Sequence, residues 1–236
     1  MADTEDIDVW IARPDRIVDS GLLTRYRALL TPDEATRLVA FRAEKHRQEY
    51  LVTRALARAT LSRYRDIAPE AWRFAKNEFG RPTIDPPCGL WFNLSNCVSL
   101  TVCAVSRCRE IGVDIEPLAR AEEVREVAEN VFSDAELEDL HALDPAMQPD
   151  RLVSLWTLKE AYIKARGIGM SAPLRQITVR FHRSGAPRLE LAPAVEDDAR
   201  AWWLRTIDFD GHRVALASAA EPAQVHVRVE ETTPLA

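Results

Sequence analysis

Residues 155–169 read LWTLKEAYIKARGIG and predict a helix at the centre of this protein. Apolar side chains recur at spacings of three and four, at Leu155, Leu158, Tyr162 and Ala165. This spacing places them on one helix face, which a globular protein buries. The two glycines among the last three residues of the segment supply a stop signal for the helix.

A second face of this helix carries polar side chains. Trp156, Glu160 and Lys164 lie four residues apart, so a carboxylate and an ammonium stand one turn apart beside an aromatic ring. An exposed pair of this kind contributes about 0.3–0.5 kcal/mol and is common on protein surfaces. Taken alone, the pair is more typical of a surface ion pair than of a functional site.

Residues 111–117 read IGVDIEP, in which apolar residues alternate with glycine and two acids. This period of two predicts a strand with one buried face, and it points Asp114 and Glu116 the same way, roughly 6.5–7 Å apart at their Cα atoms. Like charges on one strand face repel unless a cation lies between them, and carboxylate oxygens suit Mg²⁺. A solvated strand edge is the alternative interpretation of the same pattern.

Five segments taken in order resemble the Sfp-type 4′-phosphopantetheinyl transferases. They are Gly80-Arg81-Pro82, Phe92-Asn93-Leu94-Ser95, Gly112-Val113-Asp114-Ile115-Glu116, Phe132-Ser133-Asp134-Ala135-Glu136 and the helix from Trp156 to Lys164. Each motif alone is weak, whereas five in the right order and spacing are specific. The resemblance spans roughly residues 31 to 220.

The resemblance implies an α+β fold of two similar subdomains related by a pseudo-twofold, each with a helix packed on a small, mostly antiparallel sheet. We place the division between residues 1–110, the coenzyme A phosphate side, and residues 111–236, the metal side. Residues 1–110 hold 17 basic and 15 acidic side chains, and residues 111–236 hold 14 and 22, so their net charges are +2 and −8. This asymmetry suits an anion in one half and a cation in the other.

The activity that the resemblance implies is transfer of the phosphopantetheine arm of coenzyme A to a serine of an acyl or peptidyl carrier protein, with release of 3′,5′-ADP. By resemblance, Mg²⁺ is the cofactor and its ligands are Asp114, Glu116 and Glu160. Lys164 would contact the pyrophosphate oxygens, with Lys159 assisting. Glu160 is also the expected base, either directly or through a metal-bound water, and the sequence leaves both routes open.

The expected coenzyme A contacts come from two further regions. By resemblance, Gly80, Arg81 and Pro82 line the adenine and phosphate end, and Asn93, Ser95 and Asn96 contact the nucleotide. Residues 31–65 predict a long, basic helical region, and an unbroken helix would place four arginines on one stripe: Arg47, Arg54, Arg58 and Arg65. We take Arg47 and Arg54 as candidate phosphate ligands, and a solvated basic face is the alternative.

Two positions depart from the family pattern. Arg81 stands where lysine is commoner, which retains the charge, and Asn96 stands where many relatives have histidine, which does not retain a potential cation. Neutral hydrogen bonds are roughly half as strong as charge-assisted ones. We therefore expect discrimination against dephospho-coenzyme A of about tenfold or less, unless Arg47 or Arg54 replaces the lost charge.

Other features limit the class of protein. No apolar run approaches membrane-spanning length and the first residues do not resemble a signal peptide, so we expect a cytoplasmic protein that acts on no membrane. A net charge of −6 argues against nucleic-acid binding, and a monomer is expected. We also expect residues 100–105 and 111–116 to form a hairpin and the residues after Ala220 to form a loose tail.

Two other functions would use the same residues. The first is a non-catalytic binding module for nucleotides or carrier proteins, which is disfavoured because all three acids and Lys164 are present. The second is a metal-dependent nucleotide hydrolase, which would need no carrier protein.

Overall fold

Two long helices each pack on a separate sheet in the computed structural model, which describes residues 5–97, 99–107, 109–169, 172–182, 185–219 and 225–236. The strands are β1 (Glu5–Ala12), β2 (Phe74–Lys76), β3 (Pro82–Ile84), β4 (Trp91–Asn96), β5 (Thr101–Ser106), β6 (Ile111–Pro117), β7 (Ile177–Phe181), β8 (Pro187–Leu191), β9 (Trp203–Phe209), β10 (His212–Ser218) and β11 (Val225–Glu231). The helices are α1 (Ser20–Ala28), α2 (Pro32–Ala40), α3 (Glu44–Leu61), α4 (Ala121–Val131), α5 (Asp134–His141) and α6 (Gln148–Arg166). The predicted α+β fold, with a helix on a small sheet in each half, is confirmed.

The first sheet has the strand order β11-β1-β5-β4, and α3 packs on it. A capping box between Thr31 and Glu34 starts α2, which ends at Ala40. The backbone at Phe41 and Ala43 is extended, so α3 starts anew at Glu44. The predicted long helical region is therefore two helices, and because α3 ends at Leu61, Arg65 lies beyond it.

The second sheet has the order β6-β10-β9, and α6 packs across it. The predicted hairpin between residues 100–105 and 111–116 is wrong. Both edges of β5 are taken by β1 and β4, whereas β6 pairs with β10, with Asp114 opposite Ala215. The turn between β5 and β6 thus carries the chain from one sheet to the other.

The predicted tail after Ala220 is also wrong for the part that the structure describes. Residues 225–231 form β11, which pairs with β1 in parallel, with Val9 opposite Val229. Beyond β11, the hydroxyl of Tyr26 donates a hydrogen bond to the Pro234 carbonyl at 2.6 Å. The second half of the chain thus completes the first sheet, and the division at residue 110 stays a prediction.

The contact between α6 and β6 leaves no space at Gly112. A Cβ added there would lie 2.0 Å from the Ala161 carbonyl oxygen and 2.5 Å from the Ala165 nitrogen. We expect Gly112→Ala to destabilise the protein by about 1–3 kcal/mol, because backbone atoms of α6 must move to admit the methyl group. Urea unfolding measures this loss. Gly21→Ala is the control for glycine replacement, because Gly21 is exposed at the start of α1 and the atom nearest to its new methyl group would be a side-chain oxygen of Asp19 at 3.1 Å. Equal stability losses in the two variants would contradict the tight contact.

Membrane insertion was not expected from the sequence. Across the described ranges, none of the helices combines the length and apolar character needed to cross a bilayer.

Candidate active site

An ion pair joins the two predicted motifs where α6 meets β6. The Lys164 ammonium lies 2.6 Å from Oδ1 of Asp114, whose side chain is 6% exposed. Oγ of Ser95, at the end of β4, donates to the same Asp114 oxygen at 2.8 Å and accepts a hydrogen bond from Lys164 at 3.0 Å. Three segments that are far apart in the sequence therefore converge on one carboxylate.

The second carboxylate oxygen of Asp114 differs from the first in its hydrogen bonding. Oδ2 is buried and has no hydrogen-bond partner among the described residues. A buried carboxylate oxygen without a partner costs free energy, on the order of 1–3 kcal/mol. This atom is therefore suited to a cation supplied from outside the chain.

Glu116, two residues along β6, is held by two donors. Its Oε1 accepts hydrogen bonds from the Arg120 guanidinium and from Nε1 of Trp156, the latter at 3.2 Å. Burial raises the pKa of the Glu116 carboxyl, the hydrogen bond from Arg120 lowers it, and the Asp114 carboxylate raises it again. Arg120 was not among the predicted site residues, because its approach to Glu116 depends on the short helical turn that follows Pro117.

Glu160 lies on α6, one turn before Lys164. Burial raises the pKa of its carboxyl, the charge of Asp114 raises it further, and Lys164 opposes both. The three predicted metal ligands are thus close enough to repel one another. Within the described ranges, no three acid, histidine or cysteine side chains already surround a common point, and Lys164 and Arg120 pair with Asp114 and Glu116 instead.

A cleft leads away from these acids. Its inner cavity, of about 270 Å³, is lined by Glu160 and Lys164 on one side and by residues 79–82 on the other. Gly80, Pro82 and Leu94 also line a middle cavity of about 410 Å³. Arg37, Tyr50 and Arg54 are shared between that middle cavity and an outer one of about 490 Å³, which Asn96 lines. The three cavities together form a groove suited to a long ligand.

Several predicted contacts line this groove. Gly80 and Pro82 are on its wall, and Asn96 is at its outer end. Asn93 is buried, and its Oδ1 accepts a hydrogen bond from the Val113 nitrogen at 3.0 Å. Asn93 therefore joins β4 to β6 while its side chain borders the inner cavity.

The guanidinium of Arg81 is engaged by the protein itself. Its guanidinium donates hydrogen bonds to the Ala165 carbonyl and, at 3.4 Å, to the Ile111 carbonyl. The charged end is thus bound to the protein backbone, although the residue borders the inner cavity.

The predicted basic stripe does not form one surface. Arg47 pairs with Glu44 at 2.9 Å and lines a separate cavity beside Leu23. Arg58 is buried against Glu34, and Arg65 donates to the Cys88 carbonyl at 2.8 Å. Arg54 and Arg58, one turn apart on α3, both line the middle cavity of the groove. Arg65 leaves the stripe because α3 ends at Leu61.

Lys159 is not brought to the groove. It is fully buried, with its ammonium 2.6 Å from Oε2 of Glu136 and within hydrogen-bonding distance of the Val131 and Leu174 carbonyls. Glu136 also completes the capping box that starts α5. Neighbouring residues on a helix point about 100° apart, so Lys159 and Glu160 face different surroundings.

Arg37 and Tyr50 are groove residues that the sequence analysis missed. The Tyr50 ring centroid lies 5.7 Å from the Arg37 guanidinium carbon and 5.2 Å from that of Arg54. Arg37 belongs to the basic segment but lies on α2, whereas the predicted stripe required one unbroken helix. The contact between α2 and α3 brings it beside Arg54, where both guanidinium groups lie close to the Tyr50 ring.

Comparison with known proteins identifies the class to which this groove and acid cluster belong. Residues 110–217 match the sequence profile of the 4′-phosphopantetheinyl transferase superfamily. The chain is 30% identical over 209 residues to the 4′-phosphopantetheinyl transferase Sfp of Bacillus subtilis, covering 87% of this chain and 89% of that one. It is 31% identical over 220 residues to the 4′-phosphopantetheinyl transferase HetI of a Nostoc species, covering 92% and 89%.

A solved holo-[acyl-carrier-protein] synthase from Neisseria meningitidis superposes on 48% of this chain with a TM-score of 0.42 and 22% identity, and 98% of that chain is covered. The sequence matches, by contrast, extend over most of the chain. The chain therefore belongs to the 4′-phosphopantetheinyl transferase superfamily, and within it to the Sfp type.

Proposed function

We propose that this protein transfers the 4′-phosphopantetheine moiety of coenzyme A to a serine hydroxyl of an apo acyl or peptidyl carrier protein, with Mg²⁺ as cofactor and 3′,5′-ADP as the second product. The observation that carries the proposal is the Asp114–Lys164 pair, which stands beside Glu160 where the groove meets the acids. The groove offers room for the extended coenzyme A molecule, with arginines toward its outer end.

The donor set fits Mg²⁺, because Asp114 has a buried oxygen with no hydrogen-bond partner among the described residues and the neighbouring acids repel each other. Asp114, Glu116 and Glu160 would hold the ion, which when bound neutralises charge on the pyrophosphate oxygens. Lys164 borders the inner cavity and supplies a positive charge to the same oxygens.

Glu160 is the proposed proton acceptor. The serine oxygen forms a bond to the phosphorus that bears the pantetheine arm, and the bond from that phosphorus to the bridging oxygen of 3′,5′-ADP breaks. The serine proton passes to Glu160, either directly or through a water molecule. Glu160 lines the inner cavity beside Lys164, so its carboxylate can approach a serine hydroxyl that enters there.

The deciding experiment incubates the protein with coenzyme A, Mg²⁺ and a panel of apo-carrier proteins. Intact mass of each carrier reports addition of the phosphopantetheine arm. Hydrolysis of coenzyme A without any carrier would instead indicate the nucleotide hydrolase, and tight binding without any product would indicate the binding module. Cytoplasmic location, a monomeric state and the absence of nucleic-acid binding stay predictions.

The outer cavity leads us to revise the prediction about dephospho-coenzyme A. Arg54 lines the same cavity as Asn96, together with Arg37 and His46, and we infer that Arg54 supplies the positive charge that the family's histidine would bring. We now expect kcat/KM for coenzyme A to exceed that for dephospho-coenzyme A by more than about tenfold, since charge-assisted bonds to phosphate are roughly twice as strong as neutral ones. Arg54→Gln should remove most of this preference.

Arg47→Gln is the matched control, because Arg47 lies on the same helix but lines a different cavity. A preference that falls equally in both variants, or that stays below tenfold in the unaltered protein, would contradict the assignment of Arg54.

A further inference from the structure

We propose that Arg81 is a positioning residue that holds α6 against β6, rather than a ligand of the coenzyme A phosphates. The inference rests on the proposed function, since the groups it positions are Glu160 and Lys164 on α6 and Asp114 on β6. It differs from the expectation that a positive side chain in the Gly80-Arg81-Pro82 motif reaches the phosphate.

The guanidinium of Arg81 bridges the two elements that carry the acid cluster. One of its amino groups donates to the carbonyl of Ala165, in the last turn of α6. The other lies 3.4 Å from the carbonyl of Ile111, the first residue of β6. The planar guanidinium can donate to two carbonyls at once in a fixed geometry. The lysine ammonium, on its flexible stem, holds two such partners in a less rigid geometry.

The other two features of Arg81 are the nearby Glu110 carboxylate and its own buried Nε atom. The Glu110 carboxylate lies 3.7 Å from Nη1, and Nε is buried without a partner in the described part of the chain. The side chain is 11% exposed, so most of its charge is directed into the protein. A phosphate in the inner cavity would have to compete with two backbone carbonyls for the guanidinium.

Asn77, four residues earlier, makes a parallel contact. Its Nδ2 donates to the Gly167 carbonyl at 2.7 Å, and its Oδ1 accepts hydrogen bonds from the nitrogens of Phe79 and Arg81. Asn77 therefore fixes the turn that carries Arg81 and also reaches the C-cap of α6. The two side chains form a clamp, which we define as Asn77 and Arg81.

The C-terminal end of α6 offers acceptors that suit the donors of the clamp. The last carbonyls of a helix have no partner within the helix and carry partial negative charge, so donors and cations are favoured there. Gly167 adopts φ +65°, and a Cβ at this residue would lie 2.8 Å from Nδ2 of Asn77 and 2.9 Å from Cδ of Arg81. The clamp is thus in tight contact with the residue that ends the helix.

The clamp matters for the reaction because Lys164 precedes Ala165 directly and Glu160 lies one turn earlier. A shift of α6 along β6 changes the distances from both side chains to Asp114. Misplacing reacting groups by about 1 Å can lower a rate by about 10²-fold. Loss of the clamp should therefore lower kcat while the walls of the groove still bind coenzyme A.

Arg81→Lys distinguishes a positioning role from a phosphate-binding role, because lysine keeps the positive charge but lacks the planar guanidinium that donates to two carbonyls. We expect kcat to fall by about tenfold or more, while the Kd for coenzyme A from calorimetry changes by less than about threefold. Asn77→Ser should give the same pattern, since a serine hydroxyl can accept the turn hydrogen bonds but is too short to reach Gly167. Arg73→Lys is the control and should change neither quantity, because the Arg73 side chain is exposed and donates to the nearby Glu70 and Trp72 carbonyls.

Thermal unfolding establishes first that each variant is folded at the assay temperature. A higher Kd for coenzyme A with unchanged kcat in Arg81→Lys would overturn the inference and make Arg81 a ligand. If Arg81→Lys does not fold, Asn77→Ser decides, and a kcat equal to that of the unaltered protein would overturn the clamp. Absence of any transfer by the unaltered protein would instead refute the proposed function, so the two failures are distinguishable.

Discussion

Asp114→Asn is expected to lower kcat by about 10²–10³-fold, the scale of a lost charge-stabilising group in an active site. The amide keeps the shape of the side chain but removes the negative charge that pairs with Lys164 and that would bind Mg²⁺ in the proposed site. We also expect Mg²⁺ to raise the Tm of the unaltered protein and not that of the variant, since a ligand stabilises only the state that binds it. The Tm measurement does not depend on the assay of activity.

The matched control is Asp66→Asn, which removes one charge from an exposed loop. It should retain full activity and the Mg²⁺-dependent rise in Tm. Full activity of Asp114→Asn in excess chelator would refute the assignment of Asp114, even if the protein proves to be a transferase.

Lys159→Met is expected to reduce the free energy of unfolding by about 3–5 kcal/mol, the cost of removing one partner of a buried ion pair. The variant leaves the Glu136 carboxylate buried and unpaired and removes the donor from the Val131 and Leu174 carbonyls. Urea unfolding measures the change. A change below about 1 kcal/mol would show that water or a neighbouring group replaces the ammonium.

The double variant Lys159→Met/Glu136→Gln tests the same ion pair by also removing the charge of its acidic partner. A neutral amide removes the unpaired charge, and its single oxygen can accept one of the two backbone hydrogen bonds that Glu136 accepts, from Ser133 or from Val179. The lost hydrogen bond costs less free energy than a buried unpaired charge. The double variant should therefore be more stable than Lys159→Met alone, and additive losses would contradict a coupled pair.

The central helix and the identity of the acid cluster could be predicted from the sequence. The spacing of Leu155, Leu158 and Tyr162 sets the buried face of α6 locally, so the helix follows from periodicity. The meeting of Asp114 with Lys164, by contrast, was implied by resemblance alone. The spacing of residues within each motif does not show that β6 packs against α6. The structure shows this packing in the close contact between Gly112 and the α6 backbone.

Strand partners and side-chain directions were the features that the sequence could not determine. Whether β6 pairs with β5 or β10 depends on which edges are already occupied, which is a property of the whole sheet. The charge of Arg81 was correctly identified, but its direction depends on the carbonyls at the end of α6. Arg37 was missed for a similar reason, since its position depends on the break between α2 and α3.

The parallel pairing of β11 with β1 has a consequence for the order in which the protein folds. Residues 225–231 cannot join β1 until they have been synthesised, so one edge of the first sheet stays open while the rest of the chain emerges from the ribosome. An open strand edge can pair with other chains, and contacts between distant parts of a sequence form slowly. Biosynthesis thus leaves β1 vulnerable to aggregation until β11 covers it.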